Sequence, residues 1–523
     1  MLDSAESPPQ PRGRRSGGRA GNLRRSGGAA IQQSPWTLPQ NRDRPVTPLD
    51  DDAVARIHNG AMRVLEEIGI HFLNEEAKKV LRDAGCDVDA DSNRVRMDRA
   101  FVMEQVAKAP RSFDITPRNA ARRVTVGGDA MLFVNVSSPP NAMDLDRGRR
   151  QGDRESFRDL LKLTQYFNCI HMAGGYPVEP VDIHASIRHL DAIYDKLVLS
   201  DKVVHAYSLG KERVEDAMEM VRIAAGLTHD EFDAAPRMYT NINSSSPLKH
   251  DWPMLDGAMR LARRGQPVIV TPFTLSGAMA PVTITGAVAQ QTAEALAAIA
   301  LLQCVRPGAP VVYGSFTSNV DMKSGAPAFG TPEYMRATQI SGQMARFYGL
   351  PLRASNACAA NAPDAQAAWE SAFSLWACVT AKANVVYHAA GWLEGGLTAS
   401  YEKFVMDCET LQQVMHYMRP LPASEDDIAV DAIAEVGPNG HFFGAAHTQA
   451  RYETAFYSPF LSDWRNYERW SLAGAEETPQ RANRVWKAIL AEFEPPPLDP
   501  AIEEELKEFV ERRKREGGAP TDF

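Results

Sequence analysis

The chain has 523 residues, of which 44% are hydrophobic and 24% are charged. This mixture is typical of a globular protein with a large core, and it excludes a wholly disordered or collagen-like chain. The net charge of -9 gives the chain as a whole no general attraction to nucleic acid or to an anionic membrane.

Positive charge is concentrated at the start of the chain. Residues 1–50 hold eight Arg against four acidic residues, in a Pro-, Gly- and Ser-rich setting where RRSGG occurs twice. A segment with so little apolar surface cannot bury enough of it to fold, so residues 1–47 are predicted to form a disordered basic tail. No apolar stretch follows either Arg pair, which argues against a twin-arginine export signal.

The cysteines and the apolar runs bear on location. The six Cys residues show neither a CxxC motif nor a metal-ligand spacing, which indicates small buried residues of a reducing compartment. No uninterrupted apolar run of about 18 residues occurs, because the nearest, 287–305, contains Gln and Glu. We therefore expect a cytoplasmic protein with no membrane-spanning segment and no nucleic-acid partner.

The first predicted elements form a mixed α/β cap over residues 48–128. Apolar residues at three- and four-residue steps predict a helix over Leu49 to Ile68 and a second over Glu75 to Asp83. Short β-type runs follow around Arg94 to Met97 and Phe113 to Thr116.

Residues 129–419 repeat one pattern, a short apolar run followed by a helical stretch, eight times. Nearly continuous apolar runs that alternate with helices indicate a parallel sheet covered on both faces. Eight such units predict a TIM (β/α)8 barrel. The predicted strands are 131–136, 169–173, 202–206, 237–242, 267–271, 310–314, 351–354 and 384–389.

An open, doubly wound α/β sheet is the alternative architecture. Such a sheet usually carries a Gly-rich phosphate-binding turn after its first strand, and the sequence after Val136, SSPPNAMD, is not one. Residues 420–523 end in a polar helix around Ile502 to Arg513 and are predicted to form a C-terminal extension packed on the barrel.

The active site of a TIM barrel lies where its strands end, so the residues that leave each predicted strand are the candidates. No convergent set of His and carboxylate residues occurs there, so no catalytic metal is expected. The absence of a GxSxG elbow, a P-loop and a strand-end Lys disfavours acyl transfer, phosphoryl transfer and imine chemistry.

Aromatic and neutral polar side chains dominate these strand ends. Aromatic faces attract a quaternary ammonium group electrostatically, so several at one rim favour a pocket for a cation or a polar neutral molecule. For any one ring, packing in the core is the competing interpretation. The candidates are Tyr207, Asn241, Phe273, Ser315, Phe316, Asn356, His388, Trp392 and Glu394.

The segment that contains the eighth predicted strand carries a family resemblance. NVVYHAAGWLEGGLTASYEKFVMD, residues 384–407, resembles the trimethylamine methyltransferase family, the corrinoid-dependent enzymes that include glycine betaine methyltransferases. Other segments resemble the same family in the same order, and the similarity covers about residues 10–515. They are TPFTLSGAMAPVTITG, GSFTSNVDMKSGAPAFGTPE, LPLRASNACAANAPDAQAAWES and GHFFGAAHT.

The resemblance implies an enzyme that moves a methyl group from an amine nitrogen to the cobalt of a corrinoid held by a separate protein. Family members that act on trimethylamine carry pyrrolysine, and this chain contains only the twenty standard residues. The implied substrates are therefore quaternary amines such as glycine betaine. The alternatives are a related barrel enzyme with another methyl donor or acceptor, and a betaine-binding protein without turnover.

The resemblance also implies roles for the candidate residues. His388 and Glu394 are expected to be catalytic, and Tyr207, Asn241, Phe273, Ser315, Phe316, Asn356 and Trp392 to bind the substrate. A betaine carboxylate needs donors, which His388, Asn356, Asn241 or Ser315 can provide, whereas Glu394 suits the cation or the order of its loop. His388 and Glu394 each have a structural alternative. The expected partners are a corrinoid protein, a small quaternary amine and further copies of the same chain.

Overall fold

The computed structural model describes residues 30–89 and 91–521. At its centre lies a parallel sheet of six strands, each overlapping one of the predicted apolar runs. In spatial order these are Leu132–Phe133, Val385–Tyr387, Leu352–Ser355, Val311–Gly314, Val268–Val270 and Thr240–Ile242.

The remaining two predicted strands, 169–173 and 202–206, are present only as isolated bridges. Met172 pairs in parallel with Val134 on one side and with Val203 on the other, and His205 pairs with Tyr239. The buried Lys196 ammonium links these two segments, because it donates to the carbonyls of Gly174 and His205 at 2.9 Å each. The fold is thus mixed α/β with a half-barrel parallel sheet.

Eight helices follow the central strands and bridges in the predicted order. Their ends carry strong local signals: for the helix Pro332–Tyr348, Thr331 caps the first turn, Pro332 fits the first helical position, and Gly349 ends the helix at φ 67°. The eight helices are Arg154–Tyr166, Arg188–Leu199, Lys211–Ala224, Trp252–Arg263, Ile284–Val305, Pro332–Tyr348, Ala365–Ala381 and Tyr401–Tyr417.

One of these helices, Ile284–Val305, is the only helix in the described residues that is long and apolar enough to cross a membrane. Most of its residues are buried, because it packs against the helices Asp51–Arg63, Arg99–Val106 and Pro332–Tyr348. Its apolar composition is explained by this central position.

Side chains on the inner face of the sheet form their own apolar cluster, which includes Val134, Met172, Val203, Tyr239, Ile269, Val312 and Val385. Neighbours in a parallel sheet that are in register point to the same face. Asn241 is in register with Ile269, and Arg353 with Val385, so both belong to the inner face. The seventh predicted strand therefore places a cation in a mainly apolar layer.

The N-terminal cap contains helices and two small sheets, one of which gains the strand Lys249–His250 in parallel with Ile70–Phe72. Its helices are Asp51–Arg63 with a π-helical turn Val64–Ile68, Glu75–Asp83 and Arg99–Val106. Its strands are Ile70–Phe72, Asp87–Val88, Arg94–Arg96, Ser112–Ile115 and Val124–Gly127.

Residues 30–47 differ from the predicted disordered tail, because they pack along the amino-terminal end of the sheet. Trp36 and Leu38 contact the inner apolar cluster, and the Thr37 carbonyl accepts a hydrogen bond from His171 at 2.9 Å. The prediction for 1–47 was based on the composition of the whole segment, which is rich in Arg. It therefore missed the few apolar residues, such as Trp36 and Leu38, that pack against the sheet. Residues 1–29 lie outside the described part of the chain.

The C-terminal part contributes two long helices that pack on the outer helices. Trp486 donates its indole N–H to Glu402 at 2.9 Å, and Arg513 pairs with Asp216 at 2.6 Å. The helices are Glu425–Ile428, Val430–Val436, Ala446–Arg451, Tyr467–Leu472, Thr478–Glu492 and Pro500–Arg515.

Two small sheets, built from the loops that leave the central strands, stand over the carboxyl ends of those strands. One contains Leu275–Ser276, Ser318–Val320 and Pro327–Ala328. The other contains Asn141–Asp144, Gly148–Gln151, Trp392–Leu393 and Thr398–Ser400. Together they surround the candidate site.

Candidate active site

A cavity of about 570 Å³ lies at the carboxyl ends of the central strands. It has the size of a site for a small molecule, and most of its wall is apolar. Six of the predicted site residues line it, namely Tyr207, Asn241, Phe273, Phe316, His388 and Trp392. The lining residues that the prediction missed include His205, Phe329, Arg353 and Tyr387.

The apolar wall is a set of interlocking rings. Phe316 stacks on Phe329 with ring centroids 5.6 Å apart, and Trp392 stands edge-on to these two rings at 6.0 and 6.2 Å. Phe273 extends the wall, 5.0 Å from Phe316. Four aromatic side chains from three loops therefore meet at one place. This grouping is what the predicted aromatic pocket requires, beyond the packing of single rings in the core.

Trp392 is fixed by its surroundings. Its indole N–H donates to the Cys358 carbonyl at 3.1 Å. Gly396 leaves room for the ring, because a Cβ at that position would lie 2.5 Å from a ring atom of Trp392. Gly396 thus lets the loop pass close over the tryptophan.

Tyr207 is fixed in a comparable way on the other side of the cavity. Its hydroxyl accepts a hydrogen bond from the backbone N–H of Tyr176 at 2.8 Å and contacts the Ser138 hydroxyl. A Cβ at Gly175 would overlap that hydroxyl. Burial raises the pKa of Tyr207 well above its ordinary value, so the phenol stays protonated.

Arg353 is the cation of the cavity, and its side chain is almost fully buried. Its guanidinium lies over the rings of Tyr387 at 4.6 Å and Phe316 at 5.1 Å. It donates to the Ser315 carbonyl at 3.2 Å, and its Nε has no partner. No ion pair with a carboxylate of the described residues forms, and burial lowers its pKa to about 10.

His388 lies beside Arg353 and reaches the cavity through an unusual backbone conformation. Its neighbour Tyr387 belongs to the inner apolar cluster, so strand alternation alone would turn His388 outward. The φ of 54° at His388 turns the chain instead, and the ring packs 4.1 Å from Trp392. A non-glycine residue in this region is strained, and such strain clusters at functional sites.

Neighbouring groups define the protonation of His388. The Ser137 backbone N–H donates to its Nδ1 at 3.3 Å, so the neutral ring carries its proton on Nε2. Burial, reinforced by the Arg353 guanidinium, lowers the pKa of His388 well below its ordinary value near 6.5. His388 is therefore a neutral donor at physiological pH.

His205 and Asn241 form the polar floor of the cavity. His205 Nε2 accepts the backbone N–H of Asn241 at 3.1 Å, and burial lowers the pKa of His205 well below its usual range. The Asn241 side chain accepts from Thr271 at 2.8 Å and donates to Asn243 at 3.3 Å. Asn241 lines the cavity, but its amide is already engaged by protein groups.

Three predicted site residues do not line the cavity. Ser315 and Asn356 each follow an inward-facing position, so their side chains point toward the helices. The Ser315 hydroxyl donates to Ser341 at 2.9 Å, and Asn356 donates to the Ala389 carbonyl at 3.0 Å. Substrate contacts for these two residues have no support in this geometry.

Glu394, the third, is at the rim and belongs to an ion pair. Its carboxylate accepts hydrogen bonds from Arg149 at 2.8 and 3.1 Å and from Thr398 at 2.6 Å. Burial works to raise the pKa of Glu394, but these hydrogen bonds and the Arg149 charge outweigh it and hold the pKa below the ordinary value. The carboxylate orders its loop and is not directed at the cavity.

The ionisable groups that line the cavity are Arg353, two neutral His and two Tyr. Its lining holds no carboxylate, Lys or Cys side chain. Among residues 30–89 and 91–521, no three His, Cys, Asp or Glu side chains form a group able to hold a metal ion. The site can therefore orient a ligand, but it offers no general base or protein nucleophile of ordinary strength.

Comparison with known proteins identifies the family. A family model described as trimethylamine methyltransferase (MTTB) matches residues 14–518. A glycine betaine methyltransferase of Desulfitobacterium hafniense (strain Y51) is 38% identical over 471 residues, which cover 90% of this chain and 98% of that protein. The trimethylamine methyltransferase MttB of D. hafniense (strain DSM 10664 / DCB-2) is 28% identical over 473 residues, covering 90% and 94%.

A solved structure also aligns with this chain over most of its length. The Methanosarcina barkeri monomethylamine methyltransferase (MtmB) matches with a TM-score of 0.44 and 11% identity, covering 90% of this chain and 96% of that one. The family match and the 38% identical relative confirm the resemblance seen in the sequence. The chain belongs to the trimethylamine methyltransferase family of corrinoid-dependent amine methyltransferases, and it is a methyltransferase.

Proposed function

We propose that this protein transfers an N-methyl group from a betaine, with glycine betaine as the first candidate, to the Co(I) corrinoid of a separate protein. The observation that carries the proposal is the cavity itself, which combines aromatic walls with a buried cation and has no carboxylate, Lys or Cys side chain in its lining. The 38% identical glycine betaine methyltransferase supports the same substrate class.

A methyl transfer of this kind makes few chemical demands on the protein. The corrinoid supplies a strongly nucleophilic cobalt, and the C–N electron pair stays on nitrogen as the bond breaks. A quaternary nitrogen becomes neutral when it loses the methyl group, so the leaving amine needs no proton. The protein's contribution is to hold the N-methyl group in line and to exclude water.

The cavity residues fit this positioning role. The rings of Phe273, Phe316, Phe329 and Trp392 offer apolar faces to a quaternary ammonium and fix its position. His205 and His388 stay neutral because burial lowers their pKa values, so they add no positive charge. Glu394, held by Arg149, is proposed to order the rim instead of taking part in chemistry.

The acceptor reaches the site from the carboxyl-terminal face of the sheet, where the cavity opens. Exposed apolar side chains lie in the loops next to the small sheets: Val282 and Met322 beside the first and Leu397 between two strands of the second. Apolar rim residues suit transient docking of another protein. We assign the corrinoid partner to this rim.

A closed (β/α)8 barrel is the architecture that this function implies. The parallel bridges through Met172 and His205 join the two edges of the six-stranded sheet, and all eight predicted strands except the seventh contribute apolar residues to the inner cluster. Such closure supports a barrel whose carboxyl-terminal face carries the active site.

We also propose a homo-oligomer in the cytoplasm. Trp369, Phe373 and Trp376 lie exposed on one face of the helix Ala365–Ala381, and Tyr417 packs beside Trp376 at 5.2 Å. An exposed aromatic stripe of this kind supports contact with a second copy. The described cysteines are all free, which suits a reducing compartment. Light scattering on the purified protein checks the oligomeric state.

The test of function follows cob(I)alamin absorbance while the purified protein is mixed with one candidate amine at a time. Glycine betaine is expected to consume Co(I) and to yield dimethylglycine by mass spectrometry, and trimethylamine is not. Saturable binding of betaine without consumption, across a panel of betaines, would instead identify a binding protein. Product masses other than the demethylated amine would indicate another methyl donor or acceptor.

Phe316→Ala and Phe347→Ala form a matched pair for this assay. Phe316 is buried in the cavity wall, whereas Phe347 is half-exposed on the outer helix Pro332–Tyr348. Phe316→Ala is expected to lose most of the methyl transfer, because the ammonium loses its central ring. Equal rates for the two variants would contradict the assigned position of the site.

A further inference from the structure

Arg353 has hydrogen-bonding capacity that the protein does not use. A guanidinium carries five N–H donors. One is used by the Ser315 carbonyl at 3.2 Å, Nε has no partner, and Nη2 faces His388 Nε2 at 3.5 Å. Buried cations in proteins are normally paired with an anion, yet none of the described carboxylates pairs with Arg353. The guanidinium thus has N–H donors available for an anionic group of a ligand that enters the cavity.

His388 presents a second donor to the same point. Because its Nδ1 accepts the Ser137 N–H, Nε2 carries the proton. Arg353 Nη2 and His388 Nε2 are then both donors, 3.5 Å apart, and cannot bond to each other. A single acceptor atom between them satisfies both, and a carboxylate oxygen is the acceptor that binds a guanidinium most strongly.

The positive charge of Arg353 also restricts the net charge of the ligand. The protein's own cation already lies over Phe316 and Tyr387. A ligand with only a positive charge would share this small, water-poor space with a like charge and be repelled. A zwitterion removes the conflict, since its carboxylate neutralises Arg353 while its ammonium rests on the rings beyond.

We propose that Arg353 and His388 bind the carboxylate of the substrate and thereby select betaines over quaternary amines that lack an acid group. This inference rests on the proposed function only in taking the ligand to be a quaternary amine. It replaces the sequence-based carboxylate donors Asn356 and Ser315, whose side chains bond to other protein groups. The pair holds one end of the substrate, and the aromatic wall holds the other.

The test measures binding by calorimetry, without corrinoid, for two probes: glycine betaine and tetramethylammonium. The variant is Arg353→Met, and the matched control is Arg336→Met, on an exposed side chain of an outer helix. Arg353→Met should weaken glycine betaine binding about 30-fold or more, because truncating one partner of a buried charge pair costs at least about that factor. Tetramethylammonium should bind equally well or more tightly.

Two results would overturn the proposal. One is an equal loss of affinity for both probes in Arg353→Met, which would mean that Arg353 only shapes the cavity. The other is an unchanged glycine betaine affinity. If Arg353→Met does not fold, Arg353→Lys keeps the charge but loses the fork, and a selective loss of about 10-fold for glycine betaine is expected. The absence of that selective loss also counts against the proposal.

His388→Phe tests the second donor, because it removes the imidazole N–H while retaining an aromatic ring. Its effect should again fall on glycine betaine, by about 10-fold, and not on tetramethylammonium. The binding tests are independent of turnover. Selective betaine binding without methyl transfer would refute the proposed function alone, and methyl transfer with an intact Arg353→Met affinity would refute this inference alone.

Discussion

Replacing Arg353 by Met is expected to leave the unliganded protein at least as stable as the wild type, although the side chain is buried. Burial lowers the pKa of Arg353 from 12.5 to about 10. At about 1.4 kcal/mol per pKa unit, burial disfavours the charged form by about 3 kcal/mol. The side chain is charged in both the folded and the unfolded protein below pH 10, so this cost is fully present at neutral pH.

The lost contacts offset most of this gain. The hydrogen bond to the Ser315 carbonyl is worth about 1–2 kcal/mol, and the contact with two rings about 1 kcal/mol. Arg353→Met is therefore expected to change the free energy of unfolding by between about 0 and +1 kcal/mol. A cation that the fold itself required would behave differently, because its removal would destabilise the protein.

The assay is urea unfolding with and without glycine betaine. Without ligand, the two midpoints should coincide or the variant's should be higher. With betaine at about 100 times the wild-type dissociation constant, the wild type gains about 2.7 kcal/mol, whereas a variant that binds about 30-fold more weakly gains at most about 0.9 kcal/mol, so the order reverses. A variant that is less stable than the wild type by more than about 2 kcal/mol without ligand would refute this reasoning.

Three further predictions concern the same cavity. Glycine betaine affinity should stay constant from about pH 7 to 9 and fall as the pH rises through about 10, where Arg353 loses its proton, while tetramethylammonium affinity shows no such fall. Gly396→Ala should displace Trp392, shift the tryptophan fluorescence and abolish betaine binding, whereas Gly308→Ala, with a similar positive φ but open space around it, should not. Glu394→Gln should lower stability by at most about 1 kcal/mol and change betaine affinity less than about 3-fold, since its ion pair lies at the rim; a 100-fold loss would restore its predicted catalytic role.

The regular elements were predictable because their signals are local. Six of the eight predicted apolar runs form strands, and the helices after them have capping residues close in sequence, such as Thr331, Pro332 and Gly349. The runs 169–173 and 202–206 were not predictable as bridges, because pairing depends on tertiary contacts such as those of Lys196, which binds the carbonyl of Gly174, just after the first run, and that of His205, in the second. Such contacts are tertiary, so the amino-acid pattern of neither run predicts them.

The site was predictable in its aromatic content and less so in its polar groups. Positions that follow a strand alternate between the two faces of the sheet, and the register that decides the face comes from pairing. Ser315 and Asn356 fall on the outer face, while Phe316 falls on the inner one. His388 departs from this alternation because its φ is positive, and no feature of the sequence predicts that conformation.

Arg353 was missed for a related reason. It lies within the apolar run LPLRASN, where the pattern indicated a strand and drew attention to the residues after it. One signal was available: a charged residue inside a strand that is otherwise buried on both faces is costly and therefore informative. Applied to the interior positions of the predicted strands, that rule points to Arg353, since Lys202 and Arg237 are the first residues of theirs.

The most direct test of the central claim is a label-transfer measurement. Glycine betaine with isotopically labelled N-methyl groups is incubated with the purified protein and a reduced corrinoid, and both products are quantified by mass spectrometry. The proposed function predicts one labelled methyl group on the corrinoid for each dimethylglycine formed, with Arg353→Met strongly impaired at low betaine concentration. Betaine that binds but leaves the corrinoid unlabelled would contradict the proposed function.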